Sequence, residues 1–141
     1  MIQNLNALKA RIFEVLYTIE QREADTQAKA IEIIKSEASD LDSEQYDYLF
    51  NYVVRAVKNS PSLLPELNKY LRGWDIDRIS STARTAMLMG ITDIIRCDCQ
   101  KDGSLIGIDV ATTLAKKYGG EEDANLVNGV LANFYERNKN E

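Results

Sequence analysis

The sequence predicts an all-α protein, and three observations carry that prediction. Apolar residues recur at helical spacing in every apolar segment of the chain. No stretch sustains the apolar–polar alternation of a half-buried strand. The breaks between segments are helix punctuation: Asp25-Thr26, Asp42-Ser43, Ser80 and Gly119-Gly120 sit where caps and stops belong. Together they divide a single domain over 1–141 into about seven helices in two packed groups. One group covers about 1–72 and the other about 73–137.

Leu5, Leu8, Ile12, Val15, Leu16 and Ile19 make one apolar stripe, so a first helix spans residues 4–21. Phe13 and Tyr17 lie four apart at its edge, close enough to pack on each other. The second helix is capped by Asp25 or Thr26 and turns Ala30, Ile31, Ile33 and Ile34 to the core. Residues 37–47 then carry five acids and no base, as a solvated loop and an acidic first helical turn would. A third helix carries Tyr46, Leu49, Phe50, Val53, Val54 and Val57. It is predicted to stop at Asn59-Ser60-Pro61, because the residue before proline avoids helical dihedrals. Leu63, Leu64, Leu67 and Tyr70 then form a short fourth helix ending near Gly73, with Pro65 in its first turn. Arg55, Lys58, Lys69 and Arg72 face only Glu66 over this region, which is the most basic part of the chain.

Trp74 is predicted to plug the core beside the next helix start. Ser80 caps a fifth helix over residues 81–96, in which Gly90 calls for a close helix crossing. Residues 97–104 read as a polar loop, and a sixth helix follows over 105–118 with Ile108, Ala111, Leu114 and Ala115 buried. Gly119-Gly120 stops it with a left-handed residue, and Glu121, Glu122 and Asp123 open the last helix at the positive end of its dipole. That helix buries Val127, Val130, Leu131 and Phe134, and Asn128 is predicted to be part-buried and bonded to the preceding loop. The charged tail 136–141 is predicted to fray.

Composition narrows the function. A net charge of −5 argues against a broad, non-specific nucleic-acid surface. The chain has no histidine, which excludes a histidine-based metal site or catalytic base. Cys97 and Cys99 flank Asp98 and are too few for structural zinc, so no metal and no cofactor is expected. Asp75 and Asp77 are paired carboxylates without a nucleophile or a glycine-rich phosphate loop, so no catalysis is expected. No apolar run reaches the ~20 residues of a membrane span, and Met1 to Asn4 lack the basic start of a secretion signal. A cytoplasmic protein is the expectation.

Three stretches are more specific. They are Trp74-Asp75-Ile76-Asp77-Arg78-Ile79-Ser80, then Ala115-Lys116-Lys117-Tyr118-Gly119-Gly120-Glu121-Glu122, then Val127-Asn128-Gly129-Val130-Leu131. In this order and spacing they resemble the NusB family of bacterial transcription antitermination factors, and the likeness extends to Arg11 and Leu16-Tyr17. The resemblance implies a NusB-like helical fold, a boxA-type RNA ligand and the small-subunit ribosomal protein NusE as partner, all within an RNA polymerase antitermination complex. Read onto this chain, it leaves Lys9, Arg11, Lys116, Lys117 and Tyr118 as the RNA-binding candidates.

The chain departs from the family pattern chiefly where RNA would be touched. The arginine-rich start of the family is reduced to Lys9 and Arg11 over the first helix turns. Leu88 stands for a usual arginine, Thr92 for a usual tyrosine, and Leu126 for the aromatic ring that precedes Val127-Asn128-Gly129. The resemblance therefore implies either a NusB-like antitermination factor or a diverged protein-interaction module of that family with little RNA binding.

Overall fold

The computed structural model describes residues 4–139. It contains six α-helices and one short 3-10 turn, with no strand among the described residues. The helices are α1 (Leu5–Gln21), α2 (Gln27–Glu37), α3 (Ser43–Glu66), α4 (Ser81–Arg96), α5 (Lys101–Gly119) and α6 (Glu121–Asn138); the 3-10 turn is Leu67–Tyr70. The expected seven helices become six because α3 continues through Pro61 and Pro65. Each proline removes one backbone donor, but both are exposed, where the carbonyls left over can reach water or a neighbouring hydroxyl. What the sequence suggests as a fourth helix is the last turn of α3 and the 3-10 turn.

The chain divides into two compact units between Asn59 and Ser60, inside α3 and ahead of the junction near residue 72 that the sequence suggests. The N-terminal unit packs α1 with α2 and holds the first part of α3. Its core includes Leu8, Ile12, Leu16, Ile34, Leu49 and Val53, from the apolar stripes read from spacing, and also Phe13, which the spacing places only at the stripe's edge. Phe13 and Tyr17 stack at 6.2 Å with nearly parallel rings. Thr26 accepts from the Lys29 amide at 3.2 Å and Asp42 from the Gln45 amide at 2.8 Å, so both helix starts carry a side-chain cap.

The C-terminal unit is a three-helix packing of α4, α5 and α6, with the 3-10 turn against α6. Gly90 marks the crossing of α4 and α6: any Cβ there would overlap the Leu131 side chain. Tyr70 meets Phe134 edge-on at 6.0 Å. Helix α5 starts at Lys101, earlier than the predicted 105, because Gly103 lets the first turn close on Cys97. Ser104 is fully buried there, with its hydroxyl 3.3 Å from the Cys97 thiol. Burial raises the pKa of the Cys99 thiol, and no group of three cysteines and acids is arranged to hold a metal among the described residues.

Two expectations reverse. Trp74 is 55% exposed, because Leu71, Ile76 and Ile79 already fill the core positions around it. Asn128 is exposed and donates to the Thr112 hydroxyl of α5 at 3.4 Å instead of bonding the preceding loop. The fraying predicted for 136–141 can be followed only to residue 139; helix α6 runs to Asn138, and Lys139 pairs with Glu136. No helix among the described residues is long and apolar enough to cross a membrane.

Candidate nucleic-acid interface

The junction of α5 and α6 is built around Gly120, the only residue between the two helices. Its dihedrals, φ 92° and ψ −176°, differ from the left-handed cap that the sequence suggests. They fall in a region that is nearly closed to any residue with a Cβ. Gly119 keeps helical dihedrals and is small for a different reason: a Cβ would run into Asp123 and Thr82. Asp123 accepts a 2.8 Å hydrogen bond from the Ser80 hydroxyl, and the same Ser80 oxygen accepts from the Ala83 amide at 3.0 Å. The starts of α4 and α6 are thereby tied together across the glycine junction.

On the outer side of this junction stand the three C-terminal candidates. Lys116 pairs with Glu121 at 3.1 Å, and both side chains are largely exposed. Lys117 places its ammonium 5.2 Å from the ring centroid of Tyr118, which is 39% exposed. An exposed ring next to two lysines can stack on a base while the ammoniums meet phosphate. Glu121, Glu122 and Asp123 lie immediately beyond, so the local field is mixed in sign.

The two N-terminal candidates are placed differently. Lys9 is 7% exposed, and its ammonium lies 4.8 Å from the centroid of Tyr52, so most of this side chain is spent inside the unit. Arg11 makes a two-pronged contact with Asp40, at 2.8 and 3.1 Å, and donates to the Glu37 carbonyl at 2.7 Å. The bond to Arg11 is the main reason the Asp40 carboxyl sits below its usual pKa, and the same bond raises that of Arg11. Arg11 thus clamps α1 to the chain leaving α2. Helical spacing alone could not reveal either contact, because both depend on partners far along the chain.

The departures from the family pattern also have positions. Leu88 is buried, and Thr92 is buried with its hydroxyl donating 2.6 Å to the Leu88 carbonyl. Leu126 is half-buried on α6. None of the three presents a polar or aromatic side chain to solvent.

The NusB family model matches residues 7–136. The chain belongs to the NusB family. All five candidate residues lie inside the matched span. Among NusB relatives, the transcription antitermination protein NusB of Staphylococcus epidermidis is 32% identical over 128 residues, covering 89% of this chain and 94% of its own length. That of Aquifex aeolicus is 29% identical over 123 residues, covering 87% and 81%. Among solved structures, a chain from the crystal structure of a plectonemic RNA supercoil superposes with a TM-score of 0.79 at 25% identity, covering 96% of both chains. A chain from the crystal structure of antitermination factors NusB and NusE in complex with double-stranded RNA gives 0.75 at 23%, covering 97% of this chain and 99% of its own, which shows a shared fold.

Proposed function

We propose that this protein is a transcription antitermination factor that binds boxA-type RNA together with the small-subunit ribosomal protein NusE. It would hold both on RNA polymerase during ribosomal RNA transcription, as a cytoplasmic binding protein without catalysis. The observation that carries this reading is the family match over residues 7–136, with relatives named as transcription antitermination proteins. The acidic balance of the chain, −5, supports a basic ribosomal protein as partner, since opposite net charges speed association. Lys116, Lys117 and Tyr118 are the RNA-facing residues in this reading; Lys9 and Arg11 contribute mainly by holding α1 in place.

One observation favours the second reading, a diverged NusB-like protein-interaction module with little RNA binding. The two basic residues left in the N-terminal segment are both engaged within their own unit. Every phosphate that goes unmatched by a cation lowers affinity and reduces the salt slope by roughly 0.7 for single strands. The isolated protein should therefore bind boxA-type RNA in the micromolar range or weaker, and more tightly with NusE present. A salt titration against labelled single-stranded RNA, with and without NusE, tests this. Failure to capture NusE at low salt, with both proteins folded, would remove both readings. Nanomolar RNA affinity of the isolated protein would remove the second.

A further inference from the structure

The loop from Leu71 to Ile79 is held firmly and yet displays the one tryptophan of the chain to solvent. Leu71, Ile76 and Ile79 anchor it in the core. The Trp74 amide closes a turn on the Leu71 carbonyl at 3.1 Å, with Gly73 at φ 78° as its third residue. The Asn68 side chain accepts from the Ile76 amide at 2.8 Å, and Arg84 donates to the Ile76 and Ile79 carbonyls at 3.0 and 3.1 Å. A second turn brings the Arg78 amide to the Asp75 carbonyl at 2.8 Å, and the Asp75 carboxylate is engaged by the Asp77 amide. The loop is thus pinned at Leu71, Ile76 and Ile79, while Arg72, Trp74 and Arg78 point outward. Neither arginine side chain makes a hydrogen bond or ion pair among the described residues.

An exposed indole costs hydration free energy that a nearby core could have relieved, and here the backbone is fixed so that it stays outside. An indole face with two uncommitted guanidiniums in one rigid loop suits an unpaired nucleobase with its flanking phosphates. We propose that Trp74 is a base-stacking platform for the bound RNA, with Arg72 and Arg78 on the phosphates beside that base. This rests on the RNA-binding reading above and adds a contact that the five candidate residues do not supply.

Because Trp74 is the sole tryptophan, its emission reports the site directly. The full chain is titrated with labelled single-stranded boxA-type RNA, following both Trp74 fluorescence and anisotropy of the label. Quenching should track binding, Trp74→Ala should weaken affinity about tenfold, and Trp74→Phe should keep most of it. The double variant Arg72→Ala/Arg78→Ala should lower the salt slope by about 1.4, the share of two phosphates on a single strand. If the label reports binding while Trp74 emission stays unchanged and Trp74→Ala binds equally well, this inference is overturned and the RNA-binding reading stands. Quenching by tryptophan-free NusE but not by RNA would overturn it too, assigning the loop to protein docking. No RNA binding by any probe, with or without NusE, would remove both. Matching circular dichroism spectra and urea midpoints keep a folding defect from imitating weakened binding.

Discussion

Helix α1 and the loop from Leu71 to Ile79 dispose of their cations and rings in opposite ways. In α1, Lys9 turns inward over Tyr52 and Arg11 is clamped between Asp40 and the Glu37 carbonyl. In the loop, isoleucines turn inward while Arg72, Trp74 and Arg78 remain in solvent. Residue type does not decide which side chain serves the fold and which is left to meet a ligand. What decides is whether the surrounding positions already supply enough apolar surface and enough acceptors. Leu71, Ile76 and Ile79 leave Trp74 nothing to fill, whereas α1 packs against a ring and a carboxylate that its cations can satisfy.

The contrast can be broken by substitution. The largest effect is expected for Lys9→Glu, which buries a carboxylate against the negative face of the Tyr52 ring. It should cost about 3 kcal/mol or more, read from the urea midpoint, while Lys9→Met should cost less than about 1. An unchanged midpoint for the glutamate variant would mean that Lys9 lives in solvent after all. Next comes Arg84→Ala, which removes the guanidinium from the Ile76 and Ile79 carbonyls and should cost about 2 kcal/mol. If it costs nothing, the loop is held by its apolar anchors alone.

Arg11→Ala should cost about 1 kcal/mol and leave RNA affinity nearly unchanged; a large drop in affinity with intact stability would return Arg11 to the RNA. The pH dependence sharpens this point. Asp40 titrates below its usual value near 3.8, so its contribution is fully present above that pH and is lost as pH falls through the lower, folded-state value. Acid unfolding curves of the parent and Asp40→Asn should therefore differ by a constant amount above about pH 4 and draw together only as pH falls below it, toward the folded-state value. The smallest effect is expected for Trp74→Ala, within about 0.5 kcal/mol of the parent in a thermal or urea melt. A larger cost would show that Trp74 supports the fold.

The helical core was legible in the sequence because its evidence is local. The stripe through Leu8, Ile12 and Leu16, the caps at Thr26 and Ser80, and the tight crossing at Gly90 all follow from spacing or from one residue's chemistry. The NusB family was legible for a related reason, since its motifs cluster at the α5–α6 junction where Gly119, Gly120 and Asp123 interlock. The surroundings of single side chains were not legible. Arg11 meets Asp40 and Lys9 meets Tyr52 only through tertiary packing, and the exposure of Trp74 depends on what Leu71 and Ile79 already cover. The passage of α3 through Pro61 was missed because a local rule about proline was overridden at an exposed surface.

Gly120 also bears on the order of events as the chain folds. With one residue between them, α5 and α6 can pair at almost no cost in loop closure, since hardly any chain must be constrained to bring them together. The Ser80–Asp123 bond instead joins residues 43 apart and can form only after α4 has found the pair. Loop closure thus favours early pairing of α5 with α6, and the bond to Ser80 is expected to close late. Perturbing the glycine junction should then slow refolding, whereas Ser80→Ala should act mainly by hastening unfolding, which stopped-flow chevrons of the two variants would separate.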